Sequence, residues 1–96
     1  MKIRWSPDAV TDLEMIVDFI SRDDAAAARR TAQTIYSTAE QLARFPQMGR
    51  AGRVAHTREL PLTPLPFILI YRVRIRLDVV EIVNVIHGAQ FWPRRP

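Results

Sequence analysis

Two histidines and a crowd of arginines are the residues of this 96-residue chain best equipped for chemistry. His87 stands where a valine- and isoleucine-rich run ends, and an imidazole titrating near neutrality can carry a proton. No serine, cysteine or acid pairs with it at a recognisable spacing, so capping the strand or bonding a backbone carbonyl is its simpler use. His56 lacks a second ligand at metal spacing, and no metal or other cofactor is expected. Arg50 and Arg53 stand three apart in Pro46-Gln47-Met48-Gly49-Arg50-Ala51-Gly52-Arg53, a stretch that a proline and two glycines keep out of helix. Arg72, Arg74 and Arg76 are two apart, hence on one face of any strand that carries them. Trp92 lies between Phe91 and Pro93 with Arg94 and Arg95 beyond. Such a cluster can stack a base, although anchoring of a tail in the core is the commoner use.

These arginines are unevenly placed. Residues 1–43 carry five Lys or Arg against seven Asp or Glu, and residues 44–96 carry nine against three, all nine being arginine. A guanidinium is a planar fork matched to phosphate and carboxylate, so the second half reads as built for an anionic partner rather than as a merely solvated surface. An apolar patch bordered by Arg72, Arg74 and Arg76 also suits protein binding, unless the arginines only solvate a hairpin tip.

Three strands position this set. Thr57–Leu62 alternates, and Arg58 and Glu59 point to opposite faces. If Leu60 faces the core, Arg58 is partly buried against a carboxylate; its other use is a phosphate contact. Thr63-Pro64-Leu65-Pro66 must then reverse the chain. Phe67, Leu69, Tyr71 and Val73 fall on one side of the next run, with Ile68, Ile70, Arg72 and Arg74 on the other. The third run, Asp78–Ile86, is stiffened by branched side chains.

Before them, Lys2–Trp5 reads as an edge strand, and Ser6-Pro7-Asp8 as a helix start with cap hydroxyl, first-turn proline and carboxylate. Ala9, Leu13, Ile16, Val17 and Ile20 form an apolar stripe, with Asp12, Glu14 and Asp18 off it. Ser21-Arg22-Asp23-Asp24 offers an aspartate cap for a second helix, Ala25 to about Phe45, whose small face, Ala25, Ala28, Ala32, Ile35, Ala39 and Leu42, lets the helices pair as an αα-hairpin. The expected fold class is α+β: an N-terminal strand and an αα-hairpin on one face of a twisted antiparallel sheet of about four strands, the other face partly open. Residues 1–96 suffice for a single domain. Cysteine is absent, no signal-peptide h-region stands at the N-terminus and no apolar run reaches spanning length, so a cytoplasmic protein without membrane attachment is expected.

Trp5-Ser6-Pro7 with Ala9, Asp12 and Leu13, the Phe45-Pro46-x-x-Gly49-Arg50 turn, Thr57-Arg58-Glu59-Leu60, Phe67-x-x-Ile70-Tyr71-Arg72-Val73, and Val85-Ile86-His87-Gly88 through Trp92-Pro93 together resemble the RelE/ParE superfamily of type II toxin-antitoxin toxins. The resemblance spans nearly the whole chain. It implies a small toxin, neutralised in a hetero-oligomer by an antitoxin whose C-terminal segment wraps it. RelE-like members cleave mRNA on the ribosome, and ParE-like members poison DNA gyrase. Ribonuclease members place a basic residue, an arginine and a tyrosine near Thr63, Gly88 and Trp92, and this chain matches none of the three. A gyrase inhibitor of ParE type is therefore expected, with Arg50, Arg53, Arg58, Arg72, Arg74, His87 and Trp92 as target contacts and no assigned catalytic group. The alternatives are a ribosome-dependent endoribonuclease using Arg58, His87 and Arg50, or a module retained only for antitoxin binding. The antitoxin is expected to be partly disordered and acidic or amphipathic, laying a helix or strand over the hairpin and sheet, with Lys2–Trp5 or the last strand as an acceptor edge.

Overall fold

A computed structural model describes residues 1–90, Trp92 and Pro93. The order is β1 (Lys2–Trp5), α1 (Pro7–Ser21), α2 (Ala25–Gln41), β2 (Arg50–Ala51), β3 (Arg58–Pro61), β4 (Phe67–Arg74), a 3₁₀ turn (Ile75–Leu77) and β5 (Val79–His87). Both expected caps form. Ser6 Oγ accepts from Ala9 N at 3.0 Å and donates to Val83 O at 2.8 Å, so one hydroxyl starts α1 and ties it to β5. Asp24 Oδ1 accepts from Ala27 N at 3.0 Å, and each such cap is worth about 1 kcal/mol. The second helix stops at Gln41, one turn before the expected end at Phe45.

The sheet has five strands in the order β1-β5-β4-β3-β2, not about four. The extra strand is Arg50–Ala51, two residues inside the stretch read as loop, paired antiparallel with Arg58 and Glu59. Two residues carry too little alternation to announce a strand. Pairing is antiparallel except for β1, which runs parallel to β5 with Ile3 opposite Val80. Because β1 lies beside it, β5 is not an edge; the edges are β1 and β2.

The predicted alternation in β4 divides the two faces. Leu69 and Tyr71, with Val80, Ile82 and Val85 of β5, form the main core under Ala9, Ile35, Ala39 and Leu42 of the hairpin. Ile82 and Val85 both face the helices although three apart. A bulge allows this: Tyr71 pairs with Ile82 and Ile70 with Asn84, leaving Val83 as the extra residue. On the other face Ile68, Ile70 and Ile86 are buried under Trp92, with Val54 and Val83 packed alongside. That face is therefore closed over its apolar part, contrary to the open apolar patch expected there. Asp12, expected off the α1 stripe, is buried at 5 % exposure. Its Oδ2 accepts from Val85 N at 3.0 Å and from Asn84 Nδ2 at 2.9 Å, which makes burial of the carboxylate tolerable.

Candidate functional site

The candidate residues of the second half fall in three places among the described residues. The first is the Pro46–Arg53 segment beside β3. Tyr71, fully buried, donates its hydroxyl to Pro46 O at 2.8 Å and accepts from Gly49 N at 2.8 Å. Burial raises the Tyr71 pKa above 10.0, offset in part by the Gly49 N–H and the Arg58 charge. A Cβ on Gly49 would lie 2.7 Å from that hydroxyl, so glycine is required here for close approach. Arg58, opposite Tyr71 in β4, donates to Gly49 O at 2.6 Å and to Gln47 Oε1 at 2.5 Å. It is half-buried as the first sequence reading allows, but its partners are a carbonyl and an amide rather than a carboxylate.

Glu59 points to the opposite face and is 1 % exposed. It accepts from Arg53 N at 2.9 Å and from Arg50 Nη2 at 3.3 Å, and Arg53 Nε lies 3.4 Å away. Burial alone would push its carboxyl up; the Arg53 N–H, the Arg50 hydrogen bond and the two guanidinium charges together outweigh burial and hold it below its ordinary 4.5. Arg50 and Arg53 still keep about half their side-chain surface in solvent, 57 % and 47 %. They can meet a partner without leaving Glu59.

The second place is the lower end of the helix-free face. Glu81 of β5 lies 3.6 Å from Arg74 Nη2 and 3.7 Å from Arg4 Nη2, and stands in register with Arg72. Past Arg74 the chain turns through Ile75, Arg76 and Leu77, with Ile75 78 % and Leu77 59 % exposed.

The third is the end of β5. His87 is exposed, accepts from Ala89 N at Nδ1 (3.1 Å) and meets the Phe67 ring edge-on at 5.8 Å. It borders an apolar groove of about 450 Å³ lined by Met15, Ile16, Phe19, Leu65 and Phe67. Arg58 is level with Tyr71 and His87 with Phe67 four residues along β4, so the two are separated by about 13 Å along the sheet. Arg50 pairs with Glu59 on the opposite face. Trp92 is buried, its indole N–H donating to Asn84 Oδ1 at 3.1 Å, so it anchors rather than stacks. The expected companions Phe91, Arg94 and Arg95 lie outside the described residues.

Sequence reasoning assigned no role to Glu59, Glu81, Tyr71 or Asn84. A signal existed for the first two: only three acids stand among the nine arginines of the second half, and both take arginine partners. The Tyr71 hydroxyl and the Asn84 amide depend on a loop and a bulge that no periodicity marks.

Order, spacing and fold agree with one group of proteins. Residues 3–92 match the family described as the ParE toxin of type II toxin-antitoxin system, parDE. The chain belongs to the ParE toxin family. The Y4kP protein of Sinorhizobium fredii, named as a toxin, is 42 % identical over 93 residues, which is 97 % of this chain and 94 % of that one. Toxin RelE2 of Caulobacter vibrioides is 35 % identical over 89 residues, 93 % and 97 % of the two chains. The fold is similar to a chain in the solved chromosomal ParDE TA system from P. aeruginosa, with a TM-score of 0.79, 24 % identity and coverage of 91 % and 95 %. This ParE-family chain is thus a type II toxin, and membership implies an antitoxin partner. Among the described residues no helix is long and apolar enough to cross a membrane.

Proposed function

We propose that this ParE-family toxin arrests growth by docking onto DNA gyrase in the cytoplasm, and that Arg50, Arg53, Arg72, Arg74 and His87 are its target contacts. The observation that carries the reading is dispersal. A nuclease needs a proton carrier and a cation converging within hydrogen-bond reach of one phosphate. Here Arg58, Arg50 and His87, the groups available for such chemistry, lie at separate places on the sheet. Thr63 and Gly88 supply neither charge nor proton, and Trp92 is buried. What the sheet does offer a protein target is a tip on which Ile75 and Leu77, alternating with Arg74 and Arg76, stand in solvent.

The runner-up is a ribosome-dependent endoribonuclease that assembles Arg58, His87 and Arg50 only on the ribosome; the RelE2 name of one relative points that way. A chain that only binds its antitoxin is the third reading. A supercoiling assay with purified gyrase, run beside a translation-coupled mRNA cleavage assay, separates them. Lost supercoiling with intact message is expected. Cut message with normal supercoiling establishes the ribonuclease, and no effect in either assay leaves the binding module.

A further inference from the structure

The helix-free face of the sheet divides into an apolar half, closed by Trp92, and a polar half on which Lys2, Arg4 and Arg74 are exposed. In the polar half the parallel β1 and the antiparallel β4 flank β5, so alternation and register place Lys2 and Arg4, Arg72 and Arg74 on one surface around Glu81. Ile3 and Trp5 go to the helix side, which fixes Lys2 and Arg4 outward. Four cations thus lie on the surface that holds one carboxylate, and two of them pair with it. Arg4 and Arg74 reach it at 3.7 and 3.6 Å while remaining 54 % and 44 % exposed, and Lys2 is exposed. Ion pairs this open are weak and exchange readily. Arg72, level with Glu81, is partly exposed, and its Nε is buried without a hydrogen-bond partner.

From this arrangement we infer that Lys2, Arg4, Arg72 and Arg74 form a contact surface for the phosphate backbone of duplex nucleic acid. Cations two residues apart on a strand repeat at about 6.7 Å, and those of β1 and β4, with β5 between them, lie about 10 Å apart, giving an open grid of point and fork donors. An acidic polypeptide fits less well: a protein interface wants an apolar anchor at its centre, and the large exposed apolar groups, Ile75 and Leu77, lie beyond the grid on the turn. A single strand would want exposed aromatic faces, and Trp92, the aromatic on this face among the described residues, is buried. The assignment shares Arg72 and Arg74 with the proposed gyrase contacts, and it does not depend on the choice between gyrase and ribosome.

Fluorescence anisotropy with the purified chain and a random-sequence DNA duplex of about 20 base pairs tests it, with no gyrase or ribosome present. Four phosphate contacts predict that log K falls against log salt with a slope of about −3 to −4. The triple variant Lys2→Gln/Arg4→Gln/Arg74→Gln, all exposed positions, is expected to lose about 10-fold or more in affinity near 0.1 M salt and most of the slope. The charge-matched variant Arg22→Gln/Arg29→Gln/Arg30→Gln on the hairpin is expected to bind as the wild type does. Glu81→Gln, which frees Arg4 and Arg74, is expected to tighten binding several-fold, so the test does not depend on the triple variant folding. Equal losses in both triple variants, no duplex binding even at low salt, weaker or unchanged binding by Glu81→Gln, or tighter binding of polyglutamate or of a single strand than of the duplex would each overturn the assignment. A chain that binds duplex as expected yet leaves supercoiling intact would sink the gyrase reading alone.

Discussion

Two buried polar side chains hold the arginine-bearing loop in place. Tyr71→Phe removes the acceptor for the buried Gly49 N–H and the donor to Pro46 O, and a loss of about 1–3 kcal/mol is expected in denaturant unfolding. Gly49→Ala drives a methyl into the same ring and is expected to cost a similar amount, about 1–3 kcal/mol, by overpacking. If both variants melt with the wild type, the loop is not fixed by this contact. Glu59 works through charge. Its folded pKa is lowered, so its contribution is complete above its ordinary 4.5 and is lost as pH falls through the lower folded value. Glu59→Gln is therefore expected to be less stable than wild type at neutral pH, by about 1–2 kcal/mol, and to show a smaller loss on acidification below 4.5. Identical acid limbs for the two chains would show that Glu59 is not the group responsible. Tyr71, with a raised pKa, acts in the other direction: its contribution is intact below 10.0 and fades as pH rises above it.

At the level of elements, α1 is joined to β5 by polar bonds that meet at the bulge: Ser6 to Val83 O, Asp12 to Val85 N, and Asn84 from Asp12 to the Trp92 indole. Asn84 therefore spans the sheet, with a helix on one side and the second core on the other. Asn84→Ala is expected to lower stability by about 1–3 kcal/mol and to shift Trp92 emission to the red, read most cleanly in a Trp5→Phe background. Unchanged emission would mean that Trp92 is held by packing alone. The elements themselves were legible: the Ser6 and Asp24 caps, the two helical stripes and the period of two in β4 each state a local preference that the fold obeys. Asp12 was misplaced because a buried carboxylate looks like any other acid until the bulge brings Val85 N and Asn84 to it. Arg50–Ala51 was unread as a strand because its only instruction is the neighbouring β3. The dispersal of Arg50, Arg58 and His87 depends on strand order and register, which two-residue alternation leaves open.

Over the whole chain, charge separates along the sequence, residues 1–43 carrying −2 and residues 44–96 carrying +6. An antitoxin of acidic or amphipathic character should associate quickly at low ionic strength, and its association rate should fall as salt rises while dissociation changes little. A rate independent of salt would remove the electrostatic part of that expectation. Family membership supplies the toxin class and its antitoxin; the proposed gyrase target rests on the separation of Arg50, Arg58 and His87 over the sheet and on the basic surface beside an apolar tip. Gyrase supercoiling of relaxed plasmid by the purified enzyme, titrated with this chain, tests that claim most directly. Supercoiling should fall with added toxin, be restored by the antitoxin, and leave translated message uncut. Full supercoiling at saturating toxin together with mRNA cleaved on the ribosome would contradict it.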